Sequence, residues 1–195
     1  GKIAASGSVM SLIDVTGEAT VISPKGCFRY LFSECESLTQ APELPATTLS
    51  EECYAYMFNK CTNLTKAPKL PALTMKTLCY EEMFNGCTNL KEAPELPSTQ
   101  LERSCYRGMF ENCTSLTQAP ELPATTLAET CYFTMFLGCT SLVRPPELPS
   151  EKLDFYSYKS MFYGCSSLSE IKVSFVRWGN GTEWWVGEVA PTGTF

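Results

Sequence analysis

The apolar and polar positions of this chain repeat with a period of 26 residues. Within one unit the first apolar residues are Cys53, Tyr54, Met57, Phe58 and Cys61. Their spacing of i, i+1, i+4, i+5 and i+8 predicts one face of a short helix, which Ser50 can cap at its N-terminus. Each helix is expected to stop at the residue before the second cysteine, because Gly and Asn tolerate the left-handed conformation that ends helices. This position holds Lys60, Gly86, Asn112, Gly138 and Gly164.

The second half of the unit is more polar and contains prolines. Residues 64–71 read Leu-Thr-Lys-Ala-Pro-Lys-Leu-Pro, which is too short for a second helix and predicts a brief extended strand. Because proline has no amide hydrogen to donate, we expect the pairing between neighbouring strands to be short. A further turn over residues 72–75 returns the chain to the next helix.

Several rows of identical residues keep this register over about six units. One unit cannot bury its apolar face alone, whereas stacked units build a continuous core. The sequence therefore predicts an α/β repeat solenoid, a right-handed coil of about six units with short strands on one wall and short helices on the other. The rows include Cys27, Cys53, Cys79, Cys105 and Cys131; Cys35, Cys61, Cys87, Cys113, Cys139 and Cys165; and Phe32, Phe58, Phe84, Phe110, Phe136 and Phe162.

Both ends of the chain depart from the unit, as expected because the end repeats of a solenoid need caps. Leu12 lies one period before Leu38, so residues 1–26 are interpreted as a partial repeat that caps the N-terminus. Residues 27–175 are assigned to the solenoid and 176–195 to a C-terminal cap whose large side chains cover the last coil. These side chains are Trp178, Trp184 and Trp185.

The 11 cysteines cannot all pair within one chain because their number is odd. Two cysteines eight residues apart on one helix lie about 12 Å apart, which is too far for a disulfide. Neighbours along a row come close enough, but their side chains point in parallel, and a linear row does not converge on a metal ion. We therefore expect columns of small, buried, unpaired thiols rather than a disulfide ladder or a metal site.

The residues Met83-Phe84, Cys87-Thr88-Asn89-Leu90 and Ala93-Pro94 resemble the BspA-type leucine-rich repeats of bacterial surface proteins. The resemblance covers about residues 27–175, and the tail over 185–195 is similar to the ends of such proteins from gut Bacteroides. It implies a leucine-rich-repeat-like coil in a secreted or surface-anchored protein, with any leader or anchor outside this chain. Adhesion to host or bacterial ligands is the function that the resemblance implies.

Composition excludes several functional classes. The formal net charge of −6 disfavours nucleic acid as a partner, because binding to phosphates needs clustered Lys and Arg. The chain has no histidine, the commonest general base and transition-metal ligand. No nucleophile–base pair, phosphate-binding loop or metal motif appears, and no apolar run approaches the roughly 20 residues of a membrane-spanning helix. We expect no enzymatic activity, no cofactor and no membrane-spanning segment.

Charged residues that vary from unit to unit face outward from the predicted strand wall. Repeat proteins commonly bind ligands across such a stacked surface. The plain interpretation is a solvated charged face, and the functional ones are a ligand-binding strip or a weak calcium site. The candidate ligand surface consists of Glu43, Lys66, Lys69, Glu92, Glu95, Glu121, Arg144 and Glu147.

The helix wall becomes more apolar toward the C-terminus. The position after the repeated phenylalanine changes from Asn59 to Leu137 and Tyr163, and Phe133 lies one helical turn from Leu137. Two interpretations stay open for Phe133, Leu137 and Tyr163: an exposed patch that binds a partner, or a surface covered by the tryptophan-rich tail.

These observations favour a surface-displayed binding or adhesion module whose partner is a protein or glycan, with host molecules among the candidates. The alternative is a structural spacer that holds another domain away from the cell and has no ligand of its own.

Overall fold

The computed structural model describes residues 1–192, so residues 193–195 of the expected C-terminal cap lie outside the described residues. Its regular elements are few. Strands β1 (Ile3–Ala4) and β2 (Leu38–Gln40) pair in parallel, and two short 3-10 helices cover Val9–Leu12 (η1) and Asn180–Thr182 (η2). Nearly all the remaining structure is made of turns and extended segments that recur every 26 residues.

One wall of the solenoid is built from turns, which corrects the prediction of short helices. We call it the turn wall. Backbone φ is positive at every fourth residue, as at Glu52 (57°), Tyr56 (57°) and Lys60 (58°). An α-helix needs consecutive residues in the right-handed region, so a left-handed residue in every four prevents it. The left-handed conformation predicted before each second cysteine is present, but it belongs to this recurring turn rather than to a helix end. The wall comprises residues 25–34, 51–60, 77–86, 103–112, 129–138 and 155–164.

Alternate amides of the turn wall donate in two different directions. Within a coil, the amide of Met57 donates to the carbonyl of Tyr54 at 3.2 Å. Between coils, the amide of Tyr54 donates to the carbonyl of Cys79 at 3.0 Å and that of Phe58 to Met83 at 2.9 Å. Every amide from 52 to 61 has a backbone partner in this way, which satisfies the buried backbone without a helix.

The predicted cap at Ser50 is also wrong. Its hydroxyl donates to the carbonyl oxygen of Pro24 in the preceding coil at 2.6 Å, instead of accepting an amide of its own segment. The serine thus ties two coils together.

The repeated aromatic residues form two columns along the solenoid axis. Neighbouring rings of the phenylalanine column, from Phe32 to Phe162, have centroids 5.6–5.7 Å apart and nearly parallel planes. The tyrosine column, from Tyr54 to Tyr158, has a spacing of 5.8 Å and ends against Phe28 and Phe175. These rows are the core, as the repeat predicted, because the tyrosines and the phenylalanines from Phe58 onward are buried.

The opposite wall, which we call the strand wall, comprises residues 38–44, 64–70, 90–96, 116–122, 142–148 and 168–174. Only β2 qualifies as a strand here, which corrects the expectation of one strand in each unit. Isolated parallel bridges join Lys66 to Glu92 and Gln118 to Arg144. Within the described residues no backbone hydrogen bond joins the strand wall at 40 to 66, 92 to 118 or 144 to 170. The first two of these junctions are therefore open, whereas the third is closed at its end, where the amide of Leu148 donates to Lys172 and its carbonyl accepts the amide of Ser174, each at 3.0 Å.

The N-terminal coil has a different register from the one predicted. Ile3, and not Leu12, pairs with Leu38, and the Leu12 side chain is 64% exposed in η1. The segment after η1 folds into a local turn in which the Asp14 carboxylate accepts the amides of Glu18 and Ala19. These added residues lengthen the first coil, while Val9 and Met10 enter the core.

The C-terminal segment adds a short row of turns to the stack. The amide of Tyr158 donates to the carbonyl of Gly181 and that of Phe162 to Trp185, each at 2.8 Å. Trp185 is 5% exposed, with its ring centroid 5.7 Å from that of Phe175. Trp178 and Trp184, in contrast, are 57% and 67% exposed.

Candidate ligand-binding surface

All eight candidate ligand-binding residues are exposed on the strand wall. The buried leucines Leu44, Leu70, Leu96, Leu122 and Leu148 anchor this wall to the core. Five of the eight candidates directly precede one of these leucines, so the alternation of side chains in an extended chain places them on the outer face. They are Glu43, Lys69, Glu95, Glu121 and Glu147. The structure thus brings the variable charges onto a single surface.

Two ion pairs neutralise part of this surface. Lys66 Nζ lies 2.7 Å from Glu92 Oε2, and Lys172 Nζ lies 3.4 Å from Glu147 Oε1. All four side chains are more than half exposed, so each pair contributes little to stability. Glu95, Glu121 and Arg144 form no ion pair with any other described residue. Their charges are therefore available to a ligand.

A groove of the strand wall lies at the gap between positions 92 and 118. Its volume is about 750 Å³. It brings together four of the eight predicted residues, namely Glu92, Glu95, Glu121 and Arg144. Smaller grooves of about 340 Å³ and 520 Å³ lie beside Lys66, between positions 40 and 66, and beside Glu147, between positions 144 and 170. Glu43 and Lys69 lie outside these three grooves.

The same gap leaves backbone groups without a partner among residues 1–192. At the paired junction, the amide of Ala67 donates to the carbonyl of Glu92 at 3.2 Å. The equivalent amide of Ala93 has no acceptor, and the carbonyls of Lys91 and Gln118 have no donor in the described part of the chain. A donor and two acceptors beside exposed charges suit the backbone of an extended polypeptide. The sequence signalled only the charges, because the pairing pattern of the wall is not encoded in any single unit.

The three residues of the candidate partner patch are half-buried. The tail covers Tyr163, whose hydroxyl donates to Glu188 Oε1 at 2.8 Å and whose ring leaves no space for a Cβ at Gly187. Phe133 lies under the Arg107 guanidinium, with the Cζ atom 5.4 Å from the ring centroid. The interpretation that the tail covers this surface therefore holds for Tyr163. Partner binding by Phe133 and Leu137 stays a prediction.

The turn wall holds a polar cluster that the sequence did not indicate. Glu81 is 5% exposed, and its Oε1 accepts from Arg107 Nη1 at 3.0 Å. Burial raises the pKa of Glu81, while Arg107 acts in the opposite direction. Gly108, with φ of 57°, makes room for this cluster, because a Cβ there would lie 2.8 Å from Glu82 Cγ. Contacts within the chain account for this cluster, so we assign it a structural role and not a ligand-binding one.

The cysteines form buried columns. All 11 are unpaired, and nine are buried, whereas Cys27 and Cys35 at the N-terminal end are half-buried. Among the residues that the structure describes, no cluster of three or more Cys, Asp or Glu is placed to hold a metal ion.

Comparison with known proteins identifies the family to which the repeat belongs. Residues 27–143 and 95–176 match the family model of the BspA type leucine rich repeat region, in six copies. No curated protein and no solved structure matches the chain. In the described part of the chain, no helix has the length and apolar character needed to cross a membrane.

Proposed function

We propose that this chain, which belongs to the BspA-type leucine-rich repeat family, is a binding module that holds an extended protein segment across its strand wall. Leucine-rich repeat domains are in general protein-binding or adhesion modules without catalytic activity, and BspA-type proteins are typically surface-associated. Display outside the cell and adhesion are part of the proposal.

The observation that carries the proposal is the groove beside Glu95 and Glu121. It combines unpaired carboxylates, an arginine and backbone groups without partners at one junction. Such groups offer directional hydrogen bonds and charge selectivity, and both are needed for specific recognition. The turn wall offers fewer free backbone groups to a ligand, because its amides are already hydrogen-bonded within and between coils.

Binding should be tested by screening the purified chain against extracellular proteins immobilised on an array. The test variants are Glu95→Lys and Glu121→Lys. The matched controls are Glu102→Lys and Glu129→Lys, since both residues are exposed glutamates outside the strand wall and outside the ion pairs.

A protein ligand whose affinity falls at least about tenfold in the strand-wall variants and is unchanged in the controls supports the proposal. Binding that is lost equally in both sets moves the site off the strand wall. Binding to nothing in a broad screen contradicts the proposal and favours the spacer.

A further inference from the structure

The hydrogen bonds between coils of the turn wall all point the same way along the solenoid. At each junction of the turn wall, amides of one coil donate to carbonyls of the next coil, as from Phe84 to Met109 at 2.9 Å. The two ends of the turn wall therefore expose opposite groups. The N-terminal end exposes acceptors and the C-terminal end exposes donors.

The N-terminal edge, residues 27–34, has carbonyls with no donor among the described residues. They belong to Arg29, Leu31 and Ser33. The C-terminal edge, residues 183–188, has amides with no acceptor within residues 1–192, namely those of Trp184, Val186 and Glu188. In both rows the groups recur at every second residue, the same spacing that pairs the internal coils.

Apolar exposure is concentrated at the same two ends. Of the 13 exposed large hydrophobic side chains within residues 1–192, seven lie within residues 3–31 and three within 176–184. Leu31 is 39% exposed, although the equivalent Met57 of the next coil is fully buried. At the other end Trp184 is 67% exposed. The remaining three are Leu73 and Val143 in the middle of the solenoid and Phe155 in the coil next to the C-terminal segment.

We propose that the C-terminal edge of one copy docks on the N-terminal edge of a second copy, so that chains associate head to tail. The amides of Trp184, Val186 and Glu188 would donate to the partner carbonyls of Arg29, Leu31 and Ser33, which continues the internal register. Unpaired backbone edges are ready templates for this kind of pairing. Covering Leu31 and Trp184 removes exposed apolar surface from water.

The polarity of the edges sets the symmetry of the association. Two N-terminal edges would oppose carbonyl to carbonyl and two C-terminal edges amide to amide, so neither can form hydrogen bonds. A head-to-tail contact is heterologous, and it extends into longer assemblies unless the rotation closes a ring. The proposal is independent of the strand wall and of its ligand.

The first test measures the mass of the chain by sedimentation over concentrations up to about 1 mM. The weight-average mass should rise with concentration from the 21.6 kDa of one chain to beyond that of two. Leu31→Glu and Trp184→Glu should each reduce association at least about tenfold. Glutamate is acceptable at position 184 because Glu82 occupies the equivalent turn position with positive φ. The matched control is Leu73→Glu, which places the same charge on an exposed leucine in the middle of the solenoid and should leave the mass curve unchanged.

Mixing the two edge variants separates head-to-tail from other contacts. Leu31→Glu keeps an intact C-terminal edge and Trp184→Glu an intact N-terminal edge, so an equimolar mixture should form dimers that neither variant forms alone. In those dimers the amides of Trp184 in the Leu31→Glu chain, and of Val186 and Glu188, should gain protection from hydrogen exchange. The amides of Trp185 and Gly187 already bond within the coil and should change little.

A wild-type chain whose mass stays at 21.6 kDa at every concentration overturns the proposal. Dimers formed by one variant alone, or a mixture that stays monomeric while wild type associates, overturn it too. Circular dichroism of each variant checks that the fold is kept.

Discussion

The thiol of Cys87 donates a hydrogen bond to the carbonyl oxygen of Phe58 in the preceding coil, with Sγ and oxygen 3.1 Å apart. The same oxygen accepts the amide of Cys61 at 3.0 Å. Equivalent thiol bonds of 3.0–3.2 Å recur in the other coils. A cysteine at this position therefore fills a small buried space and also supplies a donor that alanine or valine lacks.

The thiols should react with a soluble thiol reagent in two classes. In the native chain Cys27 and Cys35 should react first, because they are half-buried, and the nine buried thiols only after denaturation. Denaturation without reductant should release all 11. Fewer than 11 thiols in the denatured chain would reveal disulfides, and rapid reaction of all of them in the native chain would show that the columns are open.

Truncation of the phenylalanine column should be costly in its middle and cheaper at its end. Phe84→Ala and Phe110→Ala each remove a fully buried ring between two stacked neighbours and should lower the free energy of unfolding by about 3–5 kcal/mol. Phe32→Ala is the matched control, since this ring is half-buried with one stacked neighbour in its column. Urea denaturation measures all three, and equal losses at the middle and end would contradict the stacked core.

Stability should fall steeply in alkali. Burial raises the pKa of Cys53, Cys61 and Cys131 from an ordinary value near 9 to about 12. Above pH 9 the unfolded chain releases these protons while the folded chain keeps them, so rising pH favours unfolding. Each such thiol should remove about 1.4 kcal/mol of stability per pH unit between pH 9 and its folded pKa. Thermal unfolding under reducing conditions from pH 7 to 10 measures this.

A single substitution isolates the contribution of one thiol. Cys131→Ala should make the decline shallower by one proton, although the variant starts from a lower stability at pH 7 because a buried side chain is shortened. A flat profile from pH 8 to 10 in the parent chain would show that the thiols titrate normally and are not buried.

The sequence predicted the core well but not the local structure that carries it. The spacing of Cys53, Tyr54, Met57, Phe58 and Cys61 fits a helical face, yet it also fits a turn that repeats every four residues. Five positions over nine residues do not separate periods of 3.6 and 4.0. The choice depends on amides such as that of Tyr54 pairing with the next coil, a long-range interaction that local propensity does not report.

The strand wall was also predicted only in part from the sequence. Its exposed charges follow directly from the alternation of buried leucines with polar residues, and all eight predicted positions lie on it. The gaps between paired coils were not predictable, except where Pro145 takes the place of an alanine whose amide pairs in two other units, at Ala67 and Ala119. Prolines shorten the pairing, but the units at open and at paired junctions carry prolines at the same two positions, so the prolines do not tell these junctions apart.

The turn wall is tested most directly by measuring scalar couplings across its hydrogen bonds by nuclear magnetic resonance. A coupling should connect the amide nitrogen of Phe84 to the carbonyl carbon of Met109 in the next coil, and that of Met83 to Tyr80 in its own coil. Alternation of these two partners along residues 78–87 is the predicted result. A coupling from Phe84 to the carbonyl of Tyr80, four residues earlier, would instead show an α-helix and contradict the turn wall.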